Sequence, residues 1–233
     1  MGSMKRNKKL SIVIPVYNER ELVIDVLKKV RNLKIDKTDI EIIVVDDYST
    51  DGTRELLKKK GNKYIDKLLL HDENLGKGAA LKTGFNAITG NVVIVQDADF
   101  EYDSKEIPKV VKPVFDGKCD VCYGSRFLNS EYKGYKKNQW ANRLLTKLSN
   151  KMTKLNVTDM ETCYKAFKGD FIRNIDIKEK RFGFEPEITA KVAHAKLKLI
   201  EVPISYYPRT KEEGKKIKLS DGVRALYCIM KYK

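Results

Sequence analysis

The first hundred residues alternate between short apolar runs and amphipathic stretches, and this alternation restricts the possible folds more than any other feature. Four apolar runs have the length and β-branched content of buried strands, at 10–16, 40–45, 64–70 and 92–96. Stretches between them have the pattern of helices, at 22–33, 53–61 and 76–88. This β-α-β-α-β-α-β order predicts an α/β fold, with a mostly parallel sheet sandwiched by helices.

The rest of the chain continues with helices and strands but is less regular. Helices are predicted at 104–115, 138–155, 184–197 and 220–232, with short strands at 120–123, near 165 and at 198–204. Near the start of the chain, Asn18 followed by Glu21 is a capping-box pattern, which predicts Asn18 as the N-cap of the first helix. No repeat or linker is visible in the sequence, so we expect a single domain.

Polar and acidic residues follow three of the predicted strands, where each strand ends. They lie at 17–19, at Asp46 with Asp47, and at 97–101, which begins with the D-x-D pair Asp97 and Asp99. Parallel strands bring their carboxyl ends to one edge of a sheet, where α/β proteins bind ligands. Carboxylate oxygens suit Mg²⁺ or Mn²⁺. The clusters therefore predict a ligand site with a divalent cation, and the alternative is that these residues only form turns and caps.

The chain is strongly basic, with 47 Lys and Arg against 32 Asp and Glu and a formal net charge of +15. A basic surface predicts an anionic partner, which is a nucleic acid, a phosphorylated small molecule or an anionic lipid, and the alternative is a lysine-rich surface that is only solvated. The four cysteines do not resemble a disulfide framework, so we expect reduced thiols in the cytosol. No apolar run approaches the roughly 18 residues of a membrane span, and no signal peptide is visible.

The glycine-containing segment 76–81 is neither a dinucleotide-binding fingerprint nor a P-loop. Leu81 stands where the fingerprint requires glycine or alanine, and no serine or threonine follows a Gly-Lys pair at the P-loop spacing. Lys77 nevertheless lies at the predicted N-terminus of a helix, where it can contact a phosphate. A solvated lysine is the alternative interpretation.

Four ordered motifs resemble the GT-A glycosyltransferases of family 2. They are SIVIPVYNE at 11–19, VVDDYSTDGT at 44–53, NLGKGAA at 74–80 and QDAD at 96–99. Within that family, three later segments are similar to the dolichol- and polyprenol-phosphate sugar synthases, at 124–127, 158–165 and 208–217. The resemblance covers nearly the whole chain.

The resemblance implies one GT-A domain at 5–233, in which a Rossmann-like nucleotide-binding half is fused to an acceptor half. The corresponding ranges are 5–103 for the nucleotide half, 104–219 for the acceptor half and 220–233 for a C-terminal amphipathic helix. Residues 1–4, which end with a second methionine, are interpreted as an expression remnant.

The resemblance also implies roles for individual residues. Those expected to bind the nucleotide-sugar donor are Pro15, Tyr17, Glu19, Asp46, Asp47, Lys77 and Asp97. Those expected to hold Mg²⁺ or Mn²⁺ are Asp97, Asp99 and Glu101. Those expected to bind the acceptor or a phosphate are Arg126, Arg143, Lys147, Arg209 and Lys215.

The expected reaction is the transfer of a hexose from a GDP-mannose or UDP-glucose type of donor to a polyprenyl phosphate, with inversion at the anomeric carbon. A phosphate acceptor is already anionic and needs no general base. A glycan hydroxyl is the alternative acceptor, and Asp159 or Glu161 would then take its proton. Asp97 and Asp99 with the cation stabilise charge on the leaving diphosphate.

The expected location is the cytosolic face of a membrane, where the protein is peripheral and the lipid phosphate is available. The final helix, 220–232, is amphipathic and either rests on the membrane or packs on the domain. A membrane-embedded partner protein is a further candidate. Two alternatives are a nucleic-acid-binding protein, for which no motif or interleaved aromatic residues are present, and an inactive scaffold, against which the D-x-D pair argues.

Overall fold

A computed structural model describes residues 8–128, 135–210 and 219–233. The strands are β1 Lys8–Val16, β2 Thr38–Asp46, β3 Lys67–Leu70, β4 Val92–Val95, β5 Val121–Ser125, β6 Lys165–Lys168 and β7 Leu199–Pro203. The helices are α1 Val23–Arg31, α2 Thr53–Leu56 with a π-helical turn Leu57–Gly61, α3 Lys77–Ala87, α4 Ile107–Phe115 after a 3₁₀ turn Ser104–Glu106, α5 Lys136–Thr153, α6 Gly169–Arg173, α7 Phe184–His194 and α8 Leu219–Lys231. The interpretation of residues 1–4 and the role expected for Lys215 lie outside the described residues.

In the described part of the chain, seven strands form one sheet in the order β3-β2-β1-β4-β6-β5-β7. The pairs β1–β2, β2–β3, β1–β4 and β5–β7 are parallel. Strand β6 is antiparallel to both of its neighbours, β4 and β5. The predicted α/β fold with a mostly parallel sheet is therefore confirmed, and β6 joins its two parallel parts.

The central strands are apolar along their length because helices cover the sheet on both faces. All four residues of β4 are buried, as are Leu10 and the run 12–14 of β1. The amphipathic helix α1 buries its apolar face, which consists of Val23, Val26, Leu27 and Val30. At the opposite edge from the carboxyl ends of β1 and β4, Glu41 accepts hydrogen bonds from Ser11 Oγ at 2.6 Å and from Thr89 N and Oγ1, both at 2.9 Å.

The capping-box prediction at Asn18 is wrong. Helix α1 begins at Val23 after Leu22, without a side-chain cap. Asn18 instead has a positive φ of 50°, a left-handed conformation that asparagine tolerates better than most residues. Its side-chain Oδ1 accepts the backbone N–H of Thr50 at 2.8 Å, so it connects the loops that follow β1 and β2.

The last helix, α8, packs against α5 and α7. Its inner face buries Ala225, Cys228 and Ile229. Glu179 fixes it in place, because this buried carboxylate accepts bonds from Arg224 at 2.6 Å and from Lys231 at 3.0 Å. The outer face leaves apolar side chains exposed, and these are Val223, Leu226, Tyr227 and Met230.

Candidate active site

A cavity of about 1440 Å³ lies at the carboxyl ends of β1 and β4. Segments far apart in the sequence form its walls. They are the loops after β1, β2, β4 and β5, the start of α5, the segment from Asn74 into the first turn of α3, the loops before β6 and α7, and the segment after β7. The predicted site residues that line it are Pro15, Tyr17, Glu19, Asp47, Lys77, Asp97, Asp99, Glu101, Arg126 and Arg209. The sheet thus brings most of the predicted set to one edge, as expected for parallel strands.

The D-x-D pair follows β4 directly, and its two carboxylates have different surroundings. Burial, followed by the negative charge of Asp97, raises the pKa of Asp99 to about 7. For Asp97, burial favours the neutral form, but the ammonium of Lys77, 2.9 Å away, holds its pKa below the ordinary value. The two carboxylates therefore repel each other, although each lies against a cation, Lys77 for Asp97 and Arg209 for Asp99.

Arg209 crosses the cavity from the segment after β7. Its guanidinium bonds to Glu19 at 3.1 and 3.2 Å and to Asp99 at 2.6 Å. Glu101 positions this segment, because its carboxylate accepts the backbone N–H of Arg209 at 2.8 Å and the hydroxyl of Tyr206 at 3.2 Å. Arg209 therefore joins the loops that follow β1 and β4, and Glu101 holds the backbone of Arg209 in position.

Lys77 lies in the first turn of α3, where the sequence predicts a phosphate contact. Its ammonium is 2.9 Å from Asp97 and 3.3 Å from Glu185, so it connects a carboxylate after β4 with one at the start of α7. The helix approaches the neighbouring loop closely at Gly78, where an added Cβ would lie 2.0 Å from the carbonyl oxygen of Glu179. Glycine is required there for the close approach of two backbones.

Asp46, the last residue of β2, and Asp47, which follows it, both accept hydrogen bonds from other residues of the protein. Asp46 is fully buried and does not line the described cavity; its Oδ2 accepts a bond from Arg54 at 2.6 Å. Asp47 lines the cavity but accepts the backbone N–H groups of Leu75 at 2.9 Å and Gly76 at 2.7 Å. These bonds shape the loop that leads into α3, so Asp47 supports the wall of the cavity.

Arg126 and Asp159 form a buried pair. The Nε and Nη2 atoms of Arg126 each donate to Asp159 at 2.7 Å, and its backbone N–H donates at 3.0 Å. Asp159 is 0% exposed and Arg126 is 6% exposed. Arg126 lines the cavity and also lies 5.0 Å from the ring of Tyr206, whereas both oxygens of Asp159 face the arginine.

The two basic residues predicted on α5 lie apart from this cluster. Arg143 and Lys147 are exposed on the outer side of the helix and do not line the described cavity. Arg143 is 5.3 Å from the ring of Phe127, which follows the cavity residue Arg126 in the chain. They extend the basic surface beyond the cavity.

For several residues that line the cavity, the sequence predicted no role in binding the nucleotide-sugar donor. Glu161 comes from the loop before β6 and Glu185 from the first turn of α7, and both line the cavity together with Tyr102, Cys163 and Phe182. Glu161 was predicted only as an alternative general base. The sequence carries no local signal for Glu185, because a glutamate in the first turn of a helix is favoured by the helix dipole alone.

The residues after β4 suit a divalent cation. A positive group already lies against Asp99 in the form of the Arg209 guanidinium, and a cation would also relieve the repulsion between Asp97 and Asp99. In the described residues no three Asp, Glu, His or Cys side chains converge as a metal cluster. Mg²⁺ is often bound by one or two carboxylates together with substrate phosphates and water, and Asp97 and Asp99 supply two carboxylates.

Comparison with known proteins defines the class to which this fold and site belong. The fold is similar to glucosyl-3-phosphoglycerate synthase from Mycobacterium tuberculosis, solved with Mn²⁺, UDP and glucosyl-3-phosphoglycerate, with a TM-score of 0.74, 17% identity and coverage of 97% of this chain and 80% of that one. The predicted GT-A fold is thereby confirmed. The family model of glycosyl transferase family 2 matches residues 11–175, and the chain belongs to that family.

Two curated relatives resemble the chain along nearly its whole length. Dolichol-phosphate mannosyltransferase of Pyrococcus furiosus is 28% identical over 234 residues, which is 96% of this chain and 64% of that protein. Undecaprenyl-phosphate 4-deoxy-4-formamido-L-arabinose transferase of Proteus mirabilis is 27% identical over 219 residues, 92% of this chain and 65% of that protein. The chain therefore spans slightly less than two thirds of these relatives. No helix in the described ranges is long and apolar enough to cross a bilayer.

Proposed function

We propose that the protein is a metal-dependent inverting glycosyltransferase that moves a hexose from a nucleotide sugar to a polyprenyl phosphate. The proposal depends on one observation. Five residues line the same cavity, and these are Asp97, Asp99, Lys77, Arg126 and Arg209. Acidic residues that suit a metal and cations that suit phosphates meet there. The names of the family 2 relatives, which include transfer to dolichol and undecaprenyl phosphate, support the choice of acceptor.

The donor would bind along the ends of β1 and β4. Pro15, Tyr17 and Glu19 line the side nearest β1, which suits the base and ribose. Asp47 would act through the loop that it holds before α3, because its oxygens already accept backbone N–H groups. Lys77 would meet the diphosphate at the start of that helix, where the N-terminal dipole favours negative charge.

Asp97 and Asp99 would hold Mg²⁺ or Mn²⁺, which supplies charge stabilisation for the leaving diphosphate when bound. The chain's own cations would add to this stabilisation from the sides of the cavity, with Lys77 beside Asp97 and Arg209 beside Asp99. Glu101 would hold the Arg209 segment in position through the backbone bond at 2.8 Å. We therefore assign Glu101 to support of Arg209 in addition to its predicted role near the metal.

The acceptor would be an anion. Arg126 reaches the cavity with its guanidinium fixed by Asp159, and a planar guanidinium held in this way is suited to a phosphate. Asp159 is poorly placed to act as the base that a hydroxyl acceptor needs, because it is 0% exposed and bonds to Arg126. A phosphate acceptor needs no base, whereas a glycan hydroxyl would have to use Glu161, the other predicted base, which lines the cavity.

The outer faces of α5 and α8 support attachment to a membrane surface. The exposed apolar side chains there are Trp140, Leu144, Val223, Leu226, Tyr227 and Met230. Basic residues accompany them, including Arg143, Lys147 and Arg224. Two packed helices that expose apolar and basic groups together suit an anionic lipid surface, where the aromatic and aliphatic groups enter the headgroup region.

Binding and turnover assays with a metal-site variant test the proposal. We expect UDP or GDP to raise the melting temperature in the presence of Mn²⁺, and Asp99→Ala to remove most of this effect. With Mn²⁺, a matching nucleotide sugar and undecaprenyl phosphate, the wild type should form a lipid-linked sugar. The exposed Asp72→Ala variant is the control. The proposal would be contradicted if no diphosphate binds and no lipid product forms with any donor of a panel of UDP-sugars and GDP-mannose.

A further inference from the structure

Two glutamates that the reaction outlined above does not use lie in the wall of the same cavity. Glu185 is in the first turn of α7 and is 5% exposed. Its Oε1 is 3.3 Å from the ammonium of Lys77, which is also 2.9 Å from Asp97. Glu161 lies in the loop before β6, two residues from Cys163, which also lines the cavity. Glu185 is therefore linked to the D-x-D pair through Lys77, and Glu161 lines the same cavity.

Each glutamate has a buried oxygen that nothing in the described part of the chain satisfies. Glu161 Oε1 and Glu185 Oε2 are both buried and accept no hydrogen bond there. Buried polar atoms without partners are rare and costly in folded proteins, and such atoms in the wall of a cavity often have a functional role. Because both residues line the cavity, the unsatisfied oxygens point to a ligand that supplies hydrogen-bond donors.

The local charges decide what kind of ligand fits. Burial, followed by repulsion from the charge of Glu185, raises the pKa of Glu161 to about 8, so Glu161 is largely protonated at neutral pH. Lys165 is fully buried nearby, but its ammonium donates to the backbone oxygens of Met160 at 2.8 Å and Thr162. An added anion would meet this repulsion, whereas neutral hydroxyl groups can donate to the free oxygens.

We infer that Glu161 and Glu185 form the subsite for the transferred sugar, where they accept hydrogen bonds from its hydroxyl groups and select a neutral hexose over a uronic acid. This inference rests on the proposed function, since it assumes a nucleotide-sugar donor in the cavity. The link from Glu185 through Lys77 to Asp97 puts the subsite beside the diphosphate region, where the sugar of such a donor must lie. A carboxylate on the sugar would face the charge of Glu185 and would further oppose ionisation of Glu161, so it would bind less well than a hydroxyl group.

Donor binding can be measured with matched pairs of ligands. The dissociation constants of UDP, UDP-glucose and UDP-glucuronate, and of GDP and GDP-mannose, are determined with Mn²⁺ by isothermal titration calorimetry. For the wild type we expect UDP-glucose to bind about tenfold or more tightly than UDP-glucuronate, as one unmatched like-charge contact suffices for this ratio. If GDP is the preferred diphosphate, GDP-mannuronate replaces the glucuronate.

Conservative variants then assign the selectivity to the two residues. Glu161→Gln and Glu185→Gln should each reduce the hexose preference about three- to tenfold, because Glu185→Gln removes a charge and both changes weaken a bond to a hydroxyl. The affinity for the diphosphate alone should stay unchanged. Glu73→Gln, an exposed glutamate outside the cavity, is the control and should leave every ratio unchanged.

The outcomes separate this inference from the proposed function. If no diphosphate binds with Mn²⁺, the proposed function fails, and the subsite fails with it. If diphosphates bind normally but the hexose preference is absent or is the same in both variants, the subsite alone is overturned. If Glu161→Gln keeps the preference but abolishes turnover at saturating donor, Glu161 acts as a base and is not part of the subsite.

Discussion

Replacing Asp159 with asparagine separates a structural role of this carboxylate from a catalytic one. The structure gives Asp159 the role of holding Arg126, through two side-chain bonds at 2.7 Å and one backbone bond at 3.0 Å. Asparagine keeps the shape but removes the charge and one acceptor oxygen. The guanidinium of Arg126, which is 6% exposed, would then be buried without its counterion.

The expected magnitude is large because the pair is buried. Removing one partner of a buried ion pair costs about 3–5 kcal/mol. For a chain of this size each kcal/mol lowers the melting temperature by roughly 2–4 °C, so we expect a decrease of about 6–20 °C for Asp159→Asn. The same change at Asp170, which is paired with Arg173 on the surface, is the control and should cost at most about 1 kcal/mol.

Thermal and urea unfolding followed by circular dichroism measure the stability, and the KM for polyprenyl phosphate measures the effect on the acceptor site. The double variant Arg126→Met with Asp159→Leu should recover much of the stability, because an apolar pair replaces the ion pair. It should not recover acceptor binding. An Asp159→Asn protein with wild-type stability and KM, but without turnover, would refute this reasoning and return Asp159 to the role of general base.

Three further predictions follow from packing, titration and exposure. Gly78→Ala should destabilise the fold by about 1–3 kcal/mol or more, because the new Cβ would lie 2.0 Å from the carbonyl oxygen of Glu179; Gly222→Ala, with nothing within 4 Å of the new Cβ, is the matched control. Burial alone would raise the pKa of Glu41, but its hydrogen bonds hold it at about 2. Its contribution to stability is therefore present above about pH 4.5 and is lost as the pH falls toward 2, which urea unfolding across this range would measure. Trp140, the only tryptophan and 70% exposed, should shift its fluorescence to shorter wavelength on vesicles that contain phosphatidylglycerol.

For each of these three predictions, a specific result would contradict it. Equal unfolding free energies for the Gly78 and Gly222 variants would mean that the loop moves away at no cost. A Glu41→Gln variant whose stability depends on pH between 4.5 and 2 as steeply as that of the wild type would remove Glu41 as the cause. An unchanged Trp140 spectrum on anionic vesicles, and identical spectra on anionic and neutral ones, would argue against the proposed membrane surface.

The sequence predicted the layered fold well because strand and helix periodicities are local. It could not predict that β6 runs antiparallel, since the apolar pattern of a buried strand is the same in either direction. The start of α1 was misplaced for a related reason. Asn18 has the composition of a helix cap, but its partner Thr50 lies on another loop, and only the folded sheet brings the two together.

The candidate site was predictable where it depends on strand ends and unpredictable where it depends on distant partners. Asp97 and Asp99 follow a strand directly and line the cavity. Asp46 and Asp159 are also aspartates, but arginines from elsewhere in the chain bond to Oδ2 of Asp46 and to both carboxylate oxygens of Asp159. Whether an aspartate lines the cavity or is buried away from it depends on tertiary contacts that spacing does not encode.

The insertion of β6 between β4 and β5 also has a consequence for how the chain acquires its structure during synthesis. Strand β4 ends at Val95, whereas its neighbour β6 begins only at Lys165, about 70 residues later. At translation rates of about 5–20 residues per second, the ribosome needs roughly 4–14 s to make that stretch. During this time the apolar edge of β4 in the four-strand sheet of the nascent chain is exposed. Chaperones can bind this edge, and other strands can pair with it incorrectly.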